Sequence, residues 1–238
     1  MTDFMGEFFG TMVLVLLGDG VVAGVLLGRS KAQNAGWLTI TFGWGLAVMA
    51  GVFTARAIGA PGFINPVGPI AGALTGALPV DRLPALLGGE FLGAFAGAVL
   101  VWLHYLPHWA ETSDAGAKLA VFCTGPAIRK PIANVLSEAI GTFVLVLVAA
   151  AIFEKEVGRG GIAPFVGALV LAIGLGLGGT TGFALNPARD LAPRLAHALL
   201  PIPGKGSSDW GYAWVPVVGP LLGGVAGALV AKAVILST

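Results

Sequence analysis

Two Asn-Pro pairs, Asn65-Pro66 and Asn186-Pro187, lie inside hydrophobic sequence, one in each half of the 238-residue chain. Asn is a strong N-cap residue for an α-helix, and Pro is favoured at the first helical position. Each pair therefore predicts the start of a short helix, and a helix that starts at membrane depth lines a cavity. Two ordinary surface turns are the alternative, which the apolar flanking sequence disfavours. Each Asn amide can also donate hydrogen bonds to an oxygen atom in such a cavity.

An arginine, Arg189, follows the second pair in the first turn of the predicted helix. An unpaired cation at membrane depth is costly, so we expect a role for it. It would donate hydrogen bonds to a passing solute while its charge repels cations. Alternatively, Arg189 ties down neighbouring loop carbonyls, and the two roles are compatible. The positive dipole ends of both short helices would add to the barrier against protons and other cations.

The composition is that of a membrane protein. Of the 238 residues, 56% are hydrophobic and 11% are charged, and the mean hydropathy is +0.90, whereas soluble domains have ~25% charged residues. A net charge of +1 offers no basic surface for nucleic acid. The three histidines show no metal-ligand spacing, and no Ser-His pattern indicates a hydrolase. We therefore expect no nucleic-acid partner, no metal or other cofactor, and no enzymatic activity.

Six segments reach the ~20 apolar residues that a membrane-spanning helix needs. Two shorter apolar stretches, which follow Asn65 and Asn186, are too short to cross and predict re-entrant half-helices. Glycines at every fourth position in the third and sixth spans predict close helix packing. The spans are expected near residues 5–28, 37–57, 84–106, 132–153, 162–180 and 212–235.

The two halves of the chain repeat each other. The segment that begins at Glu7 matches the one that begins at Glu138, and the two Asn-Pro pairs also match. Each repeat has three spans, an odd number, so the second copy enters the membrane from the opposite side, and such inverted repeats place their site near the midplane. We expect an all-α membrane protein with one domain over 1–238: repeat one at about 1–106, a linker at about 107–131 and repeat two at about 132–238.

This arrangement resembles the aquaporin family. The segment Gly182-Phe-Ala-Leu-Asn-Pro-Ala-Arg-Asp190 resembles the second signature of its glycerol-facilitator branch, and the resemblance covers essentially the whole chain. The first signature departs from the family pattern, because Val67 makes it Asn-Pro-Val where Asn-Pro-Ala is usual. Phe63 also lies where the facilitators often have His.

The resemblance implies a selectivity filter at the narrowest part of a pore. Trp44 and Phe183 would present aromatic faces to the carbon backbone of a polyol, and Arg189 would meet its hydroxyl groups. Gly174, which has no side chain, would leave room for Phe183. Trp44 alone could instead be an interfacial aromatic anchor. The filter is thus expected to comprise Trp44, Gly174, Phe183 and Arg189, with Asn65 and Asn186 at a central constriction.

Other residues have supporting roles by resemblance. Glu7 and Glu138 would accept hydrogen bonds from the backbone of the re-entrant loops, and Glu90 is expected at the membrane interface. Asp19 has no counterpart in the second repeat, and its role stays open. The pore-lining carbonyls would be those of Gly62, Phe63, Ile64, Phe183, Ala184 and Leu185, and the positions that favour the polyol branch are Asp190, Arg194, Pro216 and Val217.

We expect a passive channel for small neutral solutes, foremost glycerol and related polyols, with some water, that excludes protons and ions. The resemblance implies a homotetramer in a lipid bilayer with cytoplasmic termini, although the Lys and Arg residues do not follow the positive-inside rule. Short tails favour a prokaryotic cell (inner) membrane. One alternative is another neutral solute, such as protonated lactic acid, urea or a metalloid acid, suggested by the altered first box. A second is a proton-coupled secondary transporter, suggested by the broken helices and Asp19.

Overall fold

The computed structural model describes residues 1–154 and 161–235, which form α-helices joined by turns and loops, with no β-strand in these ranges. Five helices are long and apolar enough to cross a membrane, and a sixth, α8, is apolar but shorter. The helices are α1 (Thr2–Leu26), α2 (Gly36–Ile58), α3 (Val67–Thr75), α4 (Leu83–His104), α5 (Leu106–Ala110), α6 (Ala115–Phe122), α7 (Pro131–Glu154), α8 (Ile162–Gly176), α9 (Pro187–Leu199) and α10 (Val215–Val234).

The predicted spans agree with α1, α2, α4, α7 and α10 to within a few residues at each end. The span predicted at 162–180 differs, because α8 ends at Gly176 and a short 3-10 turn, Gly178–Thr180, follows it. At 1.5 Å per residue the 15 residues of α8 cover roughly 22 Å, less than the ~30 Å hydrocarbon core. The predicted span therefore combines an α-helix with a short 3-10 turn.

The two repeats have matching helix packing. In the first repeat α1 packs along α4, and in the second α7 packs along α10, while α2 and α8 meet between the repeats. The predicted glycine stripes lie in these contacts. A Cβ on Gly97 of α4 would be 2.7 Å from the Met12 carbonyl oxygen, and one on Gly227 of α10 would be 2.8 Å from that of Phe143. The prediction of close packing at these glycines is confirmed.

The half-helices α3 and α9 have nine and 13 residues, too few to cross the membrane. Each packs mainly on the opposite repeat: α3 on α10, and α9 on α4. The expected linker at about 107–131 is itself largely folded, because it contains α5 and α6. The aromatic rings of Trp109 and Phe122 stack there with centroids 5.5 Å apart, and α6 contacts both α1 and α9. The linker therefore packs on the first helix of repeat one and on the half-helix of repeat two.

Candidate functional site

A central cavity of about 370 Å³ extends past the N-termini of both half-helices. Its lining is almost wholly apolar. The polar side chains that reach it include those of Asn65, Asn186 and Arg189, and it extends to Thr75 at the end of α3. The aromatic residues Trp44 and Phe183 also line it, and Trp44 lies beside Arg189.

Each Asn of the Asn-Pro pairs binds the first backbone N–H groups of its own half-helix, although α9 begins at Pro187, directly after its Asn, and α3 begins one residue later, at Val67. The Oδ1 atom of Asn65 accepts a hydrogen bond from the Val67 N–H at 3.0 Å, and Oδ1 of Asn186 accepts from Ala188 at 3.0 Å and Arg189 at 3.1 Å. These bonds satisfy backbone donors that a helix start otherwise leaves unpaired. Both Asn side chains thus have a structural role, besides any contact with a solute.

The same two side chains cross-link the loops of the two repeats. Nδ2 of Asn65 donates to the Leu185 carbonyl at 2.9 Å, and Nδ2 of Asn186 donates to the Ile64 carbonyl at 2.7 Å. An amide nitrogen carries two hydrogens, so one N–H on each Asn is left over. Because both residues line the cavity, these two remaining donors are available to an oxygen atom inside it.

The loops before the half-helices have strained backbones. Ile64, Phe183 and Leu185 have φ values of 47°, 40° and 55°, which are rare for residues other than glycine. Glu7 accepts three hydrogen bonds from the first loop, from the N–H groups of Gly62 (2.8 Å), Phe63 (3.0 Å) and Ile64 (2.6 Å). Glu138 accepts two from the second, from Ala184 (3.0 Å) and Leu185 (2.9 Å).

These bonds orient the loop carbonyls. In a trans peptide unit the C=O points opposite to the N–H of the next residue. Because the N–H groups turn to the buried glutamates, the preceding carbonyls turn away from them. For Glu7 these are the carbonyls of Pro61, Gly62 and Phe63, and for Glu138 they are those of Phe183 and Ala184. All of these except Pro61 belong to residues that the sequence places in the acceptor ladder. The ladder residues line the cavity: Gly62, Phe63, Ile64, Phe183, Ala184 and Leu185.

Glu90 does not lie at the membrane interface, so that expectation is wrong. Its side chain is fully buried, and Oε1 accepts a hydrogen bond from the Asn65 N–H at 3.1 Å. The glycine stripe of α4 places Glu90 against the re-entrant loop, where a carboxylate can satisfy one more backbone donor. When Gly89 of α4 is aligned with Gly219 of α10, the residue that corresponds to Glu90 in the second repeat is Pro220. The first loop is therefore braced by two carboxylates.

The arginine of the second half-helix lies against an aromatic ring. Its guanidinium carbon is 4.0 Å from the centroid of the Trp44 ring, a cation–π distance. Nη1 of Arg189 is 3.8 Å from Oδ1 of Asp19. Trp44 is only 3% exposed and packs on Gly18, where a Cβ would lie 2.5 Å from the ring atom Cε3. A buried ring of this kind is not an interfacial anchor.

Gly174 gives Phe183 its room. A Cβ on Gly174 would lie 3.1 Å from Cζ of Phe183 and 3.0 Å from Cγ2 of Thr41. Gly174 itself does not line the cavity. Sequence reasoning missed Trp37, which packs edge-on against Phe183 at 5.6 Å and donates from Nε1 to the Gly174 carbonyl at 3.2 Å. Its position seven residues before Trp44, on the same helix face, is the signal that could have found it.

The altered first box is accommodated by a glycine. Val67 is 1% exposed and lines the cavity, and its Cγ1 lies where a Cβ on Gly224 of α10 would be. The extra bulk of Val over Ala is thus placed against α10. The ring of Phe63 packs on Gly68, where a Cβ would lie 2.6 Å from Cδ1.

Comparison with known proteins agrees with this geometry. The model of one protein family, described as "Major intrinsic protein", matches residues 1–231. The chain belongs to the major intrinsic protein family. The resemblance drawn from the Asn-Pro boxes is confirmed, and so is the aquaporin-like all-α membrane fold.

Named relatives of this major intrinsic protein cover nearly its whole length. It is 54% identical over 228 residues to a "Probable glycerol uptake facilitator protein" of Thermotoga maritima, with 96% of this chain and 97% of that protein covered. It is also 54% identical over 224 residues to the "Glycerol uptake facilitator protein" of Bacillus subtilis, with 94% and 81% covered. The solved structure of the aquaglyceroporin from Plasmodium falciparum shares 28% identity and a TM-score of 0.85, with 99% of this chain and 97% of that one covered.

Two of the positions that the sequence suggests as favouring the polyol branch, Asp190 and Arg194, form a buried ion pair in this family member. Nε and Nη2 of Arg194 donate to Oδ1 of Asp190 at 2.9 and 2.8 Å, and both side chains are fully buried. Oδ2 of Asp190 accepts from the backbone and hydroxyl of Thr124, each at 2.7 Å. The pair anchors α9 to Thr124, in the segment between α6 and α7, and lies outside the cavity lining. Pro216 and Val217, in the first turn of α10, also lie outside that lining.

Proposed function

We propose that this chain is a passive channel for glycerol and related polyols, with some water. One observation carries the proposal: the cavity has an apolar wall and a narrow set of hydrogen-bonding groups. A polyol has the same division, with carbon-bound hydrogens on one side and hydroxyl groups on the other. The relatives named as glycerol uptake facilitators support the same solute. As a member of its family the protein is a channel and not an enzyme.

We assign the filter to Trp44, Gly174, Phe183 and Arg189. The two rings would contact the carbon backbone, and Arg189 would donate to the hydroxyl groups, with Gly174 making space for Phe183. Asn65 and Asn186 would form the central constriction with their remaining amide N–H groups. The carbonyls that Glu7 and Glu138 turn away would accept hydroxyl hydrogens along the path.

Ion exclusion follows from the same groups. Two half-helices direct their positive dipole ends at the midplane, and Arg189 adds a full positive charge near one end. The proposed channel would therefore pass neutral solutes and exclude protons and other cations. Coupled transport is disfavoured, because Asp19 lies beside Arg189 and outside the cavity lining.

The protein is a multi-pass membrane protein, and we propose a prokaryotic cell membrane as its location and a homotetramer with one pore per subunit as its assembly. Large apolar side chains cover the outside of the bundle, for example Phe42, Phe53, Leu92 and Leu222. They suit contact with lipid or with neighbouring subunits. We retain one channel domain over 1–238, with the linker at about 107–131 joining repeat one to repeat two.

The test is stopped-flow light scattering of proteoliposomes under an inward glycerol gradient, with a sucrose gradient for water. Fast reswelling that is independent of a proton gradient supports the proposal. The plugged variant Val170→Trp fills the cavity from α8 and should abolish glycerol flux. Its control, Leu175→Trp, adds the same ring on an exposed part of the same helix and should keep it.

Failure of glycerol flux would contradict the polyol assignment. Lactic acid at low pH, urea and a metalloid acid would then be tested in the same vesicles, because the pore would still suit a neutral solute. Water flux without glycerol flux would instead indicate a water channel and overturn the assignment of Gly174 to the filter.

A further inference from the structure

Asp19 and Arg189 are two buried groups of opposite charge that have each other as neighbour. Asp19 is fully buried in α1, and within the described residues neither of its carboxylate oxygens has a hydrogen-bond partner. Nη1 of Arg189, 3.8 Å from Oδ1 of Asp19, also has none in that part of the chain. A buried charge without a partner is costly, so the two stabilise each other.

The neighbouring acid is already occupied. Asp190 lies next to Arg189 in sequence, but its two oxygens are taken by Arg194 and Thr124. Asp19 is therefore the carboxylate left to compensate Arg189. Its place on α1 also adjoins Trp44, because Gly18 lets that ring pack directly on the α1 backbone. Asp19, Arg189 and Trp44 form one cluster, which we call the arginine clamp.

The clamp fixes the guanidinium in two directions. The Trp44 ring lies against one face of the group, with its centroid 4.0 Å from the guanidinium carbon, and Asp19 attracts Nη1 at 3.8 Å. Nε and Nη2 make no hydrogen bond to the described protein and, unlike Nη1, are not fully buried. Because Arg189 lines the cavity, these two nitrogens are the donors that face a solute. A guanidinium presents its donors in a rigid plane, so fixing one edge fixes the direction of the others.

We propose that Asp19 is a positioning residue of the filter, which orients Arg189 so that Nε and Nη2 meet the hydroxyl groups of a polyol. This inference rests on the proposed polyol channel and adds a residue from α1 to its selectivity. Without Asp19 the guanidinium can rotate on the Trp44 face, and its donors no longer match a polyol. Water, which needs one donor in no fixed direction, should lose less.

The experiment compares Asp19→Asn with the wild type in proteoliposomes, with glycerol and water permeability measured on the same preparation. We expect the glycerol-to-water permeability ratio to fall by at least about threefold, as removal of a coupled charge partner predicts. The control is Thr11→Val on the same helix, which removes a fully buried side-chain oxygen that also has no hydrogen-bond partner among residues 1–154 and 161–235, and it should leave the ratio unchanged.

A double-mutant cycle separates positioning from packing. If Asp19 acts through the arginine, Asp19→Asn should have no further effect on the ratio in an Arg189→Ala background. Thermal stability in detergent should show a reversal of sign: Asp19→Asn lowers it in the wild type and raises it in Arg189→Ala, where it removes an uncompensated buried charge. Equal effects of Asp19→Asn in both backgrounds would overturn the inference. It would also be overturned if the wild type carries glycerol and Asp19→Asn has the same glycerol-to-water permeability ratio as the wild type. A wild type that carries no glycerol would instead overturn the proposed function itself.

Discussion

The contact between Val67 and Gly224 makes a quantitative prediction about the altered first box. A Cβ on Gly224 would lie 2.0 Å from Cγ1 of Val67, whereas carbon atoms in contact prefer ~3.5–4.0 Å. Val67 has little freedom to yield, because β-branched side chains are stiff in helices and its N–H is bound by Asn65. Gly224→Ala should therefore destabilise the protein by about 1–3 kcal/mol, the usual range for overpacking.

The change should also alter flux. Val67 lies between α10 and the cavity, so a Cβ on Gly224 displaces its side chain toward the permeation path. We expect glycerol permeability to fall more than water permeability, because the larger solute needs the wider path. Val67→Ala/Gly224→Ala restores the usual Asn-Pro-Ala box and removes the clash. It should recover both stability and the glycerol-to-water ratio relative to Gly224→Ala alone.

The measurements are thermal unfolding in detergent and stopped-flow permeability in vesicles. Gly176→Ala is the matched control, because a Cβ there meets no atom within 4 Å and alanine favours a helix over glycine by up to ~1 kcal/mol. A neutral Gly224→Ala, or a double variant no better than the single one, would refute the idea that Gly224 exists to accept the extra bulk of Val67.

Two further predictions concern the filter and the loops. Gly174→His should lower the glycerol-to-water permeability ratio by about tenfold, because its Cβ crowds Phe183 at 3.1 Å and a misfit of ~1.4 kcal/mol corresponds to a factor of ten. An unchanged ratio in stopped-flow measurements would contradict the filter assignment. Glu138→Gln should lower stability in detergent by about 1–3 kcal/mol, because the new amide N–H groups face a backbone N–H whose hydrogen bond Glu138 accepts. The control Glu111→Gln changes an exposed residue and should have little effect. Equal stability of the two variants would count against the bracing role of Glu138.

The parts of this structure that the sequence predicts are those with a local signal. An Asn-Pro pair carries its own capping chemistry, so the starts of both half-helices followed from Asn65 and Asn186 without tertiary information. The glycine stripes of α4 and α10 are likewise periodic within one helix. Matching segments at Glu7 and Glu138 indicated the inverted repeat, because similarity within the chain can be read directly from it.

The parts that escaped prediction depend on pairing between distant segments. Val67 meets Gly224, and Asp19 meets Arg189, only because the half-helices cross into the opposite repeat. The regular spacing of the glycines in α10 does not predict which of them contacts α3. The sequence misplaces Glu90 at the interface for the same reason: its distance from a helix end is visible in the sequence, whereas the loop that it braces is not.

The two repeats differ at the residues of the candidate filter, which has no counterpart at the other end of the cavity. Gly45 and Gly167 contact each other between the repeats, since a Cβ on either would lie within 2.8 Å of the other's carbonyl oxygen. This register makes Val166 the counterpart of Trp44, and the Asn-Pro boxes make Gly68 the counterpart of Arg189.

The counterpart of Phe183 is Gly62, by the same register of the boxes. Each of the three filter positions that line the cavity therefore has a smaller, uncharged residue at the opposite end. The central Asn pair, in contrast, is kept in both repeats, because each Asn caps its own half-helix and binds the loop of the other. Symmetry is retained where the fold needs it and is broken at the proposed filter.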